Sequence, residues 1–252
     1  MSDKHEHKFQ KAQYQLQSTL DDCGIKNPER LKLLEVGFKE GVFLQACRQA
    51  KIDAAGLEVK SGYYNRLHRQ DPDLELILYD GKIVPLPDAS FDIIVSYQVL
   101  EHVGSIEITL SECVRLLKPG GIMYHVFPNY NSFYEGHYNV LWWPFLNQKS
   151  GRWYLKLLRK YTPYYESLNI VKPKTVRRIM TLHEEHIEML SLGKNEFEKR
   201  FTPEQIAKVN QRLLRGILKS IHAIPPVRWV VLKLMGTCGI YYPITLIARK
   251  KS

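Results

Sequence analysis

The sequence predicts an α/β fold with a doubly wound, mostly parallel sheet. Apolar runs of strand length alternate with amphipathic helical segments through the first half of the chain. A strand, a glycine turn and a helix start follow one another in residues 31–43, and the carboxylate of Glu58 lies about 20 residues beyond that turn. A chain of 252 residues with 44% hydrophobic residues can bury one large core.

Hydrophobic periodicity and turn residues define the elements of the first half. The predicted strands are residues 31–36, 52–59, 74–79, 92–96 and 122–127. The predicted helices are residues 6–22, 41–50, 61–67 and 106–117. Ser61 is expected to cap its helix, and Lys118-Pro-Gly-Gly121 is expected to form a helix stop and a turn.

The glycine turn is the first candidate site. Gly37 and Gly41 bracket it, and residues without a Cβ let the backbone approach a bound nucleoside closely. Glu35 ends the strand before the turn and directs a carboxylate into the same crevice. Glu58 ends the next strand, where a carboxylate can accept the protons of both ribose hydroxyls.

After Pro128 the alternating pattern stops. Residues 129–172 are dense in Tyr, Trp and Phe and are interpreted as an insertion over the carboxyl edge of the sheet, either a substrate pocket or a satellite core. Further helices are predicted at 175–182, 202–222 and 227–235, with strands at 186–192 and 241–248.

Charge is uneven along the chain. Residues 1–148 carry a net charge of −4, and residues 149–252 carry +14. This basic half indicates either an anionic partner or a solvated basic face. An anionic partner would be a phosphorylated or acidic substrate, nucleic acid or an anionic membrane surface.

The four cysteines are scattered without a CxxC motif, which predicts neither a disulfide framework nor a metal site. The N-terminus has no apolar signal region. The longest nearly apolar stretch, 221–248, is interrupted by Arg228 and Lys233. A reducing cytoplasm is therefore the expected location.

Five motifs occur in order with regular spacing. They are Leu33-Leu-Glu-Val-Gly-Phe-Lys-Glu-Gly41, Gly56-Leu-Glu58, Asp80 with Pro85-Leu-Pro-Asp-Ala-Ser-Phe-Asp92, Leu100-Glu-His-Val103, and Arg115-Leu-Leu-Lys-Pro-Gly-Gly121. Together they resemble the class I S-adenosylmethionine (SAM)-dependent methyltransferases, in the branch with LPFPD-x-SFD and LEHV motifs. The resemblance covers roughly residues 31–127.

That resemblance implies a Rossmann-like sheet of seven strands, the last of them antiparallel. It implies one methyltransferase domain over 1–252, with an aromatic substrate-cap insertion at 129–172 and a basic helical insertion at 194–236 before the last strand. It also implies SAM as the cofactor. The cofactor-binding positions that it indicates are Glu35, Gly37, Gly41, Glu58, Asp80, Gly81, Ser96 and Tyr97.

Within these positions, Glu35 and Gly37 correspond to contacts with the methionyl end, Glu58 to the ribose acid and Asp80 to the adenine amino group. Lys39 is a departure, because the family usually has glycine at the middle of this turn. Lysine enters left-handed backbone conformations less readily than glycine, so weakened SAM binding is one interpretation of Lys39 at this position.

Methyl transfer to a hydroxyl is helped by a general base, and histidine is suited to that role. His137 and His102 are the candidates, whereas His125 is expected to be a core residue. Glu135 is expected to orient His137 or to bind a sugar hydroxyl. Tyr134, Glu135, Tyr138 and Trp143 are the candidate substrate-binding residues.

The resemblance favours O-methylation of a small molecule or of a glycan or lipid-linked precursor. A quinone-type C-methyltransferase, an RNA methyltransferase and a binding module without activity are the alternatives. Nucleic acid is disfavoured, because Ser96-Tyr97-Gln98 stands where amino methyltransferases of bases carry Asn/Asp-Pro-Pro-Tyr. The basic C-terminal helices are expected either to cover the sheet or to lie on an anionic membrane.

Overall fold

The computed structural model describes residues 3–193, 197–198, 201–207, 209 and 212–252. The predicted insertion 194–236 and the predicted helix 202–222 therefore lie partly outside the described residues. The strands are β1 Lys32–Val36, β2 Asp53–Glu58, β3 Glu75–Leu78, β4 Phe91–Tyr97, β5 Leu117–Phe127, β6 Tyr134–Glu135, β7 Val140–Leu141, β8 Ile187–Leu192 and β9 Ile244–Lys250.

Helices flank these strands, and the one at Gln148–Leu157 was not predicted from the sequence. They are α1 Asp3–Cys23, α2 Val42–Gln49, α3 Ser61–Gln70, α4 Ile106–Leu116, α5 Gln148–Leu157, α6 Pro173–Thr181, α7 Pro203–Ala207, α8 Arg212–Ala223 and α9 Pro225–Cys238. Short 3₁₀ turns occupy Pro28–Arg30 and Pro163–Ser167.

A seven-stranded sheet has the order β3-β2-β1-β4-β5-β9-β8. The pairs β1–β2, β1–β4, β2–β3 and β4–β5 are parallel. The predicted α/β fold class, with a mostly parallel sheet of seven strands, is therefore confirmed. The antiparallel direction expected for the last strand stays a prediction.

The central strands are buried because helices cover them. Ala12, Leu16 and Leu20 of α1 recur at the four-residue spacing of one helix face, and they join Leu33 of β1 and Val95 of β4 in one buried cluster. This packing explains why β1 and β4 are nearly continuous apolar runs, as expected for parallel strands.

Several predicted boundaries are wrong. Ser61 does not cap α3: Lys60 is the N-cap, and no side chain bonds the first turn. Residues 118–121 end α4 as predicted but form an irregular part of β5, where the register with β4 shifts.

The later elements also differ from prediction. The helix expected over 202–222 is α7 and α8, with the non-helical Val209 between them. Strand β9 begins at Ile244 rather than Tyr241, since Pro243 has no N–H to donate to a neighbouring strand.

The chain divides into two compact units. The first comprises the described residues of 1–127, 177–190 and 246–252, and the second those of 128–176 and 191–245. The predicted aromatic insertion 129–172 falls in the second unit, where Tyr130, Trp142 and Tyr165 belong to a buried aromatic core. The predicted single domain over 1–252 with two insertions stays a prediction.

Among the described residues, there is no helix that is both long enough and apolar enough to cross a bilayer.

Candidate functional site

The turn between β1 and α2 has a left-handed backbone at three positions. Gly37 has a φ of 80°, Lys39 of 50° and Gly41 of 72°. A Cβ on Gly37 would lie 2.6 Å from Cγ2 of Val99, and a Cβ on Gly41 would collide with Leu67. Glycine is therefore required at both ends of the turn, while Lys39 adopts the conformation for which glycine is usual.

Glu58 connects this turn to β2. It is the last residue of the strand and is buried. Its Oε1 accepts hydrogen bonds from the amides of Val59 (2.9 Å) and Lys60 (3.1 Å), and its Oε2 accepts one from the amide of Lys39 (3.3 Å). These amides hold the carboxylate of Glu58 at the edge of the glycine turn.

Glu35 precedes the turn and is only 7% exposed. Its Oε2 is buried and has no hydrogen-bond partner among the described residues. Burial raises the pKa of the Glu35 carboxyl to about 8, with a further increase from the charge of Glu58 and a decrease from Lys39. The site therefore contains an acceptor that lacks a donor.

Asp80 follows β3, the next strand along this half of the sheet. Its Oδ1 accepts hydrogen bonds from the amides of Lys82 (2.8 Å) and Ile83 (3.1 Å), which lower the pKa of the carboxyl. Gly81 turns the chain with a φ of 83°. Glu35, Glu58 and Asp80 thus stand at or just beyond the carboxyl ends of three adjacent parallel strands.

Ser96 and Tyr97 end β4 and face opposite sides of the sheet. The Ser96 hydroxyl is buried and lies 2.8 Å from Nδ1 of His125. The Tyr97 hydroxyl donates to the carbonyl of Gln15 (2.9 Å) and also contacts the Thr19 hydroxyl, both in α1. Both side chains are engaged within the fold, and their cofactor contacts stay predictions.

His125 lies in the core, as expected. Burial lowers the pKa of its imidazole to about 4, so the ring is neutral near pH 7.

His102 lies in the turn between β4 and α4. Its amide donates to the carbonyl of Val99 (2.8 Å), and its Nε2 is 3.7 Å from Oε1 of the buried Glu101. This contact is too long for a hydrogen bond but places a carboxylate beside the imidazole.

The second unit contains a buried carboxylate, Glu135, paired with the partly exposed imidazole of His137. Oε1 of Glu135 lies 2.8 Å from Nδ1 of His137 and accepts a hydrogen bond from the Tyr130 hydroxyl (3.3 Å), while Oε2 accepts one from the amide of Tyr138 (2.7 Å). Because an ionised carboxylate can only accept, this contact assigns a proton to Nδ1 of His137, and a neutral ring in that tautomer has its lone pair on Nε2. The contact by which Glu135 is expected to orient His137 is present, and its role in a reaction stays a prediction.

The other predicted substrate residues lie in aromatic clusters of the same unit. The Tyr134 ring lies edge-on to Tyr242, with centroids 5.4 Å apart. Tyr138 bonds Thr162 through its hydroxyl (2.8 Å). Trp143 is 40% exposed and stacks on Phe145. Substrate contact by these residues stays a prediction.

Two contributors were not predicted as site residues. Val99 packs against the Gly37 backbone, and Tyr130 donates to Glu135. Val99 has no local sequence signal, because it lies far from Gly37 in the chain, whereas Tyr130 is only five residues from Glu135. Gln98, with a φ of 56°, turns the chain before Val99.

Comparison with known proteins gives one family match and several similar proteins. Residues 34–125 match the family model of a methyltransferase domain. A protein of Mycolicibacterium smegmatis named "Probable S-adenosylmethionine-dependent methyltransferase" is 31% identical over 104 residues, which are 41% of this chain and 40% of that protein. The ubiquinone biosynthesis O-methyltransferase of Maricaulis maris is 28% identical over 103 residues, 38% of this chain and 39% of that protein.

These matches span about two fifths of the length of the curated relatives. Among solved structures, an S-adenosylmethionine dependent methyltransferase from Mesorhizobium loti has a TM-score of 0.56 at 13% identity, covering 92% of this chain and 96% of that one. At that identity the likeness concerns the fold.

Proposed function

We propose that this chain, whose residues 34–125 match the family model of a methyltransferase domain, is a class I SAM-dependent methyltransferase and methylates an oxygen of a small molecule or of a glycan or lipid-linked precursor. The observation that carries the proposal is the set of three carboxylates, Glu35, Glu58 and Asp80, around a turn with a glycine-type backbone. Ligands of open α/β sheets bind at this edge.

The residues present fit SAM. Oε2 of Glu35 is a buried carboxyl oxygen without a partner, and the ammonium group of the methionyl moiety would supply a donor and favour the ionised carboxylate. A carboxylate oxygen can accept more than one hydrogen bond, so Glu58 can serve ribose hydroxyls while it keeps its backbone amides. The Gly37 turn has no Cβ in the way of a close backbone approach.

SAM, when bound, supplies a methyl group on an electrophilic sulfonium carbon. The chain's own residues hold the ligand and orient the acceptor, and positioning of this kind can supply much of the acceleration. Glu35 binds the methionyl end of the ligand, Glu58 binds its ribose, and Asp80 recognises its base.

We assign the base for an oxygen acceptor to His137. Glu135 keeps the proton on Nδ1, so Nε2 is the nitrogen that accepts a proton from a hydroxyl. The name of the Maricaulis maris relative, an O-methyltransferase, also supports an oxygen acceptor. His102 beside Glu101 is the alternative base.

The cofactor assignment is tested by calorimetric titration of the protein with S-adenosylhomocysteine. We expect micromolar binding, about −8 kcal/mol, weakened at least about tenfold in Glu58→Ala, because hydrogen bonds to a charged group contribute about 1.5–3 kcal/mol. The control is Glu75→Ala, which removes an exposed carboxylate from β3. The proposal fails if the folded wild-type protein does not bind S-adenosylhomocysteine. It also fails if Glu58→Ala and Glu75→Ala bind this ligand with the same affinity.

Acceptor chemistry is tested separately, with a panel of phenols, quinols, sugars and RNA oligonucleotides and with SAM labelled in its methyl group. Label that enters the product as a methyl ether supports O-methylation. Label on carbon supports the quinone-type alternative, and label on RNA supports the nucleic-acid alternative.

A further inference from the structure

The helical hairpin formed by α8 and α9 has an unusual charge. Residues 212–238 contain five Lys and Arg side chains and no Asp or Glu. The two helices are joined at Ile224 and contact one another. Lys219 and Lys233 are exposed to solvent. The hairpin itself therefore carries positive charge and no acidic side chain of its own.

Apolar side chains are exposed on the same hairpin. None of the α9 residues is buried. Val227, Val230 and Leu234 are 42%, 46% and 59% exposed, and their spacing of three and four residues places them in one stripe along the helix. Ile217 of α8 and Ile224 at the start of α9 are also about half exposed.

A tryptophan–lysine pair borders this stripe. Trp229 is 63% exposed, and Nζ of Lys233, one turn later, lies 4.8 Å from the centroid of its ring. Tryptophan and lysine both combine an apolar body with a polar end, and they are enriched where apolar and aqueous phases meet.

We propose that the α8–α9 hairpin binds the surface of an anionic lipid membrane, with the stripe 227–230–234 facing the acyl region and the cations facing the headgroups. Basic helices with an exposed apolar face bind lipid surfaces through buried apolar area together with attraction to anionic headgroups. This inference does not depend on the proposed methyl transfer.

Other occupants fit the surface less well. A second copy on a two-fold axis would bring two positive surfaces together, and like charges repel. Single-stranded nucleic acid stacks its bases on aromatic side chains, whereas the exposed stripe is aliphatic.

The experiment is co-sedimentation of the full chain with phosphatidylcholine vesicles, with and without about 30% phosphatidylglycerol. Wild-type protein is expected to bind the anionic vesicles and to be released by salt, because salt screens charges at the surface. Trp229→Ser/Lys233→Glu is expected to weaken binding about tenfold or more. Val230→Ser/Leu234→Ser keeps every charge and is also expected to weaken it.

The matched control is Lys11→Glu/Tyr14→Ser, which makes the same kind of change on exposed residues of α1 and is expected to bind as wild type does. A second readout is a blue shift of tryptophan fluorescence on anionic vesicles that Trp229→Ser removes. All residues changed are exposed, and circular dichroism verifies folding.

Three results would overturn the proposal. In the first, wild-type protein and the hairpin variants sediment equally with vesicles. In the second, the protein dimerises through Trp229 as its concentration rises and does not bind vesicles. In the third, the protein binds polyuridylate but not vesicles, and the hairpin variants lose the binding of polyuridylate.

Discussion

The amide of Lys39 donates a hydrogen bond to Oε2 of Glu58 over 3.3 Å, and so joins the turn after β1 to the end of β2. The bond exists because Lys39 adopts a φ of 50°. A backbone conformation usual for glycine thus serves to place the carboxylate expected to bind ribose.

Lys39→Gly is expected to keep both stability and cofactor binding. The left-handed conformation costs a non-glycine residue about 1 kcal/mol, and glycine removes that cost but adds unfolded-state entropy of about the same size. Lys39→Val is expected to lose about 1–2 kcal/mol, since β-branched residues resist positive φ. Urea unfolding and S-adenosylhomocysteine titration measure both effects, and equal stability of the two variants would contradict the assigned backbone.

Gly37→Ala is expected to reduce the free energy of unfolding by more than about 2 kcal/mol, because a Cβ would approach Val99 and φ is positive. Cofactor binding is expected to fall with it. The matched control is Gly62→Ala in α3, where a Cβ meets nothing within 4 Å and alanine favours the helix. A thermal melt in which both variants behave alike would argue against a tight turn.

Glu35 is expected to make stability decline with rising pH. Its pKa is raised from 4.5 to about 8 in the folded state, so the folded protein retains a proton over this range that the unfolded chain releases. The stabilisation is present below about pH 4.5 and is lost as pH rises to about 8. It amounts to a few kcal/mol at most, at about 1.4 kcal/mol per pKa unit.

Glu35→Gln removes this titration and keeps a neutral side chain of the same shape. Urea unfolding of both proteins at about pH 5 and about pH 8 isolates the contribution of Glu35. Parallel pH profiles of wild type and variant would show that Glu35 is ionised in the folded protein.

Replacing Glu135 by leucine is expected to weaken the preference of the His137 ring for a proton on Nδ1. In wild-type protein the ring nitrogen shifts should report a proton on Nδ1, and this preference should weaken in Glu135→Leu. Glu166→Leu, which removes an exposed acid from the same unit, is the control. An Nε2-protonated ring in wild-type protein would exclude the assigned base.

His137→Asn is expected to lower kcat about 10²–10⁴-fold with an oxygen acceptor. The affinity for S-adenosylhomocysteine is expected to stay within about twofold, because none of the cofactor carboxylates is changed. An unchanged kcat would transfer the role to His102.

The strands of the first unit were predictable because their apolar runs are interrupted by glycine and proline. The positions of Glu35 and Glu58 follow directly, since Glu35 is the penultimate residue of its strand and Glu58 is the last residue of its own. The seven-stranded sheet was predicted through the family resemblance, as periodicity alone does not specify that β9 lies between β5 and β8.

Long-range contacts were beyond prediction. The pairing of Glu135 with His137 is local and was expected, but the Tyr97 bond to Gln15 spans 82 residues. Likewise, the sequence did not predict that the amide of Lys39 donates a hydrogen bond to Glu58. Serine is a favoured N-cap residue, but the N-cap of α3 is Lys60, and Ser61 is already the first residue of the helix.

The link between Tyr97 and α1 has a thermodynamic consequence. Tyr97 immediately precedes Gln98 and Val99, and Val99 packs on the Gly37 turn. If α1 undocks, the Tyr97 hydroxyl loses both of its α1 neighbours, and the end of β4 loses an anchor. By reciprocity, a ligand that favours the ordered turn also favours docked α1. In a chain shortened before Gln15, the turn would be ordered in only a fraction of the molecules, and the apparent affinity for that ligand would be reduced by the same fraction.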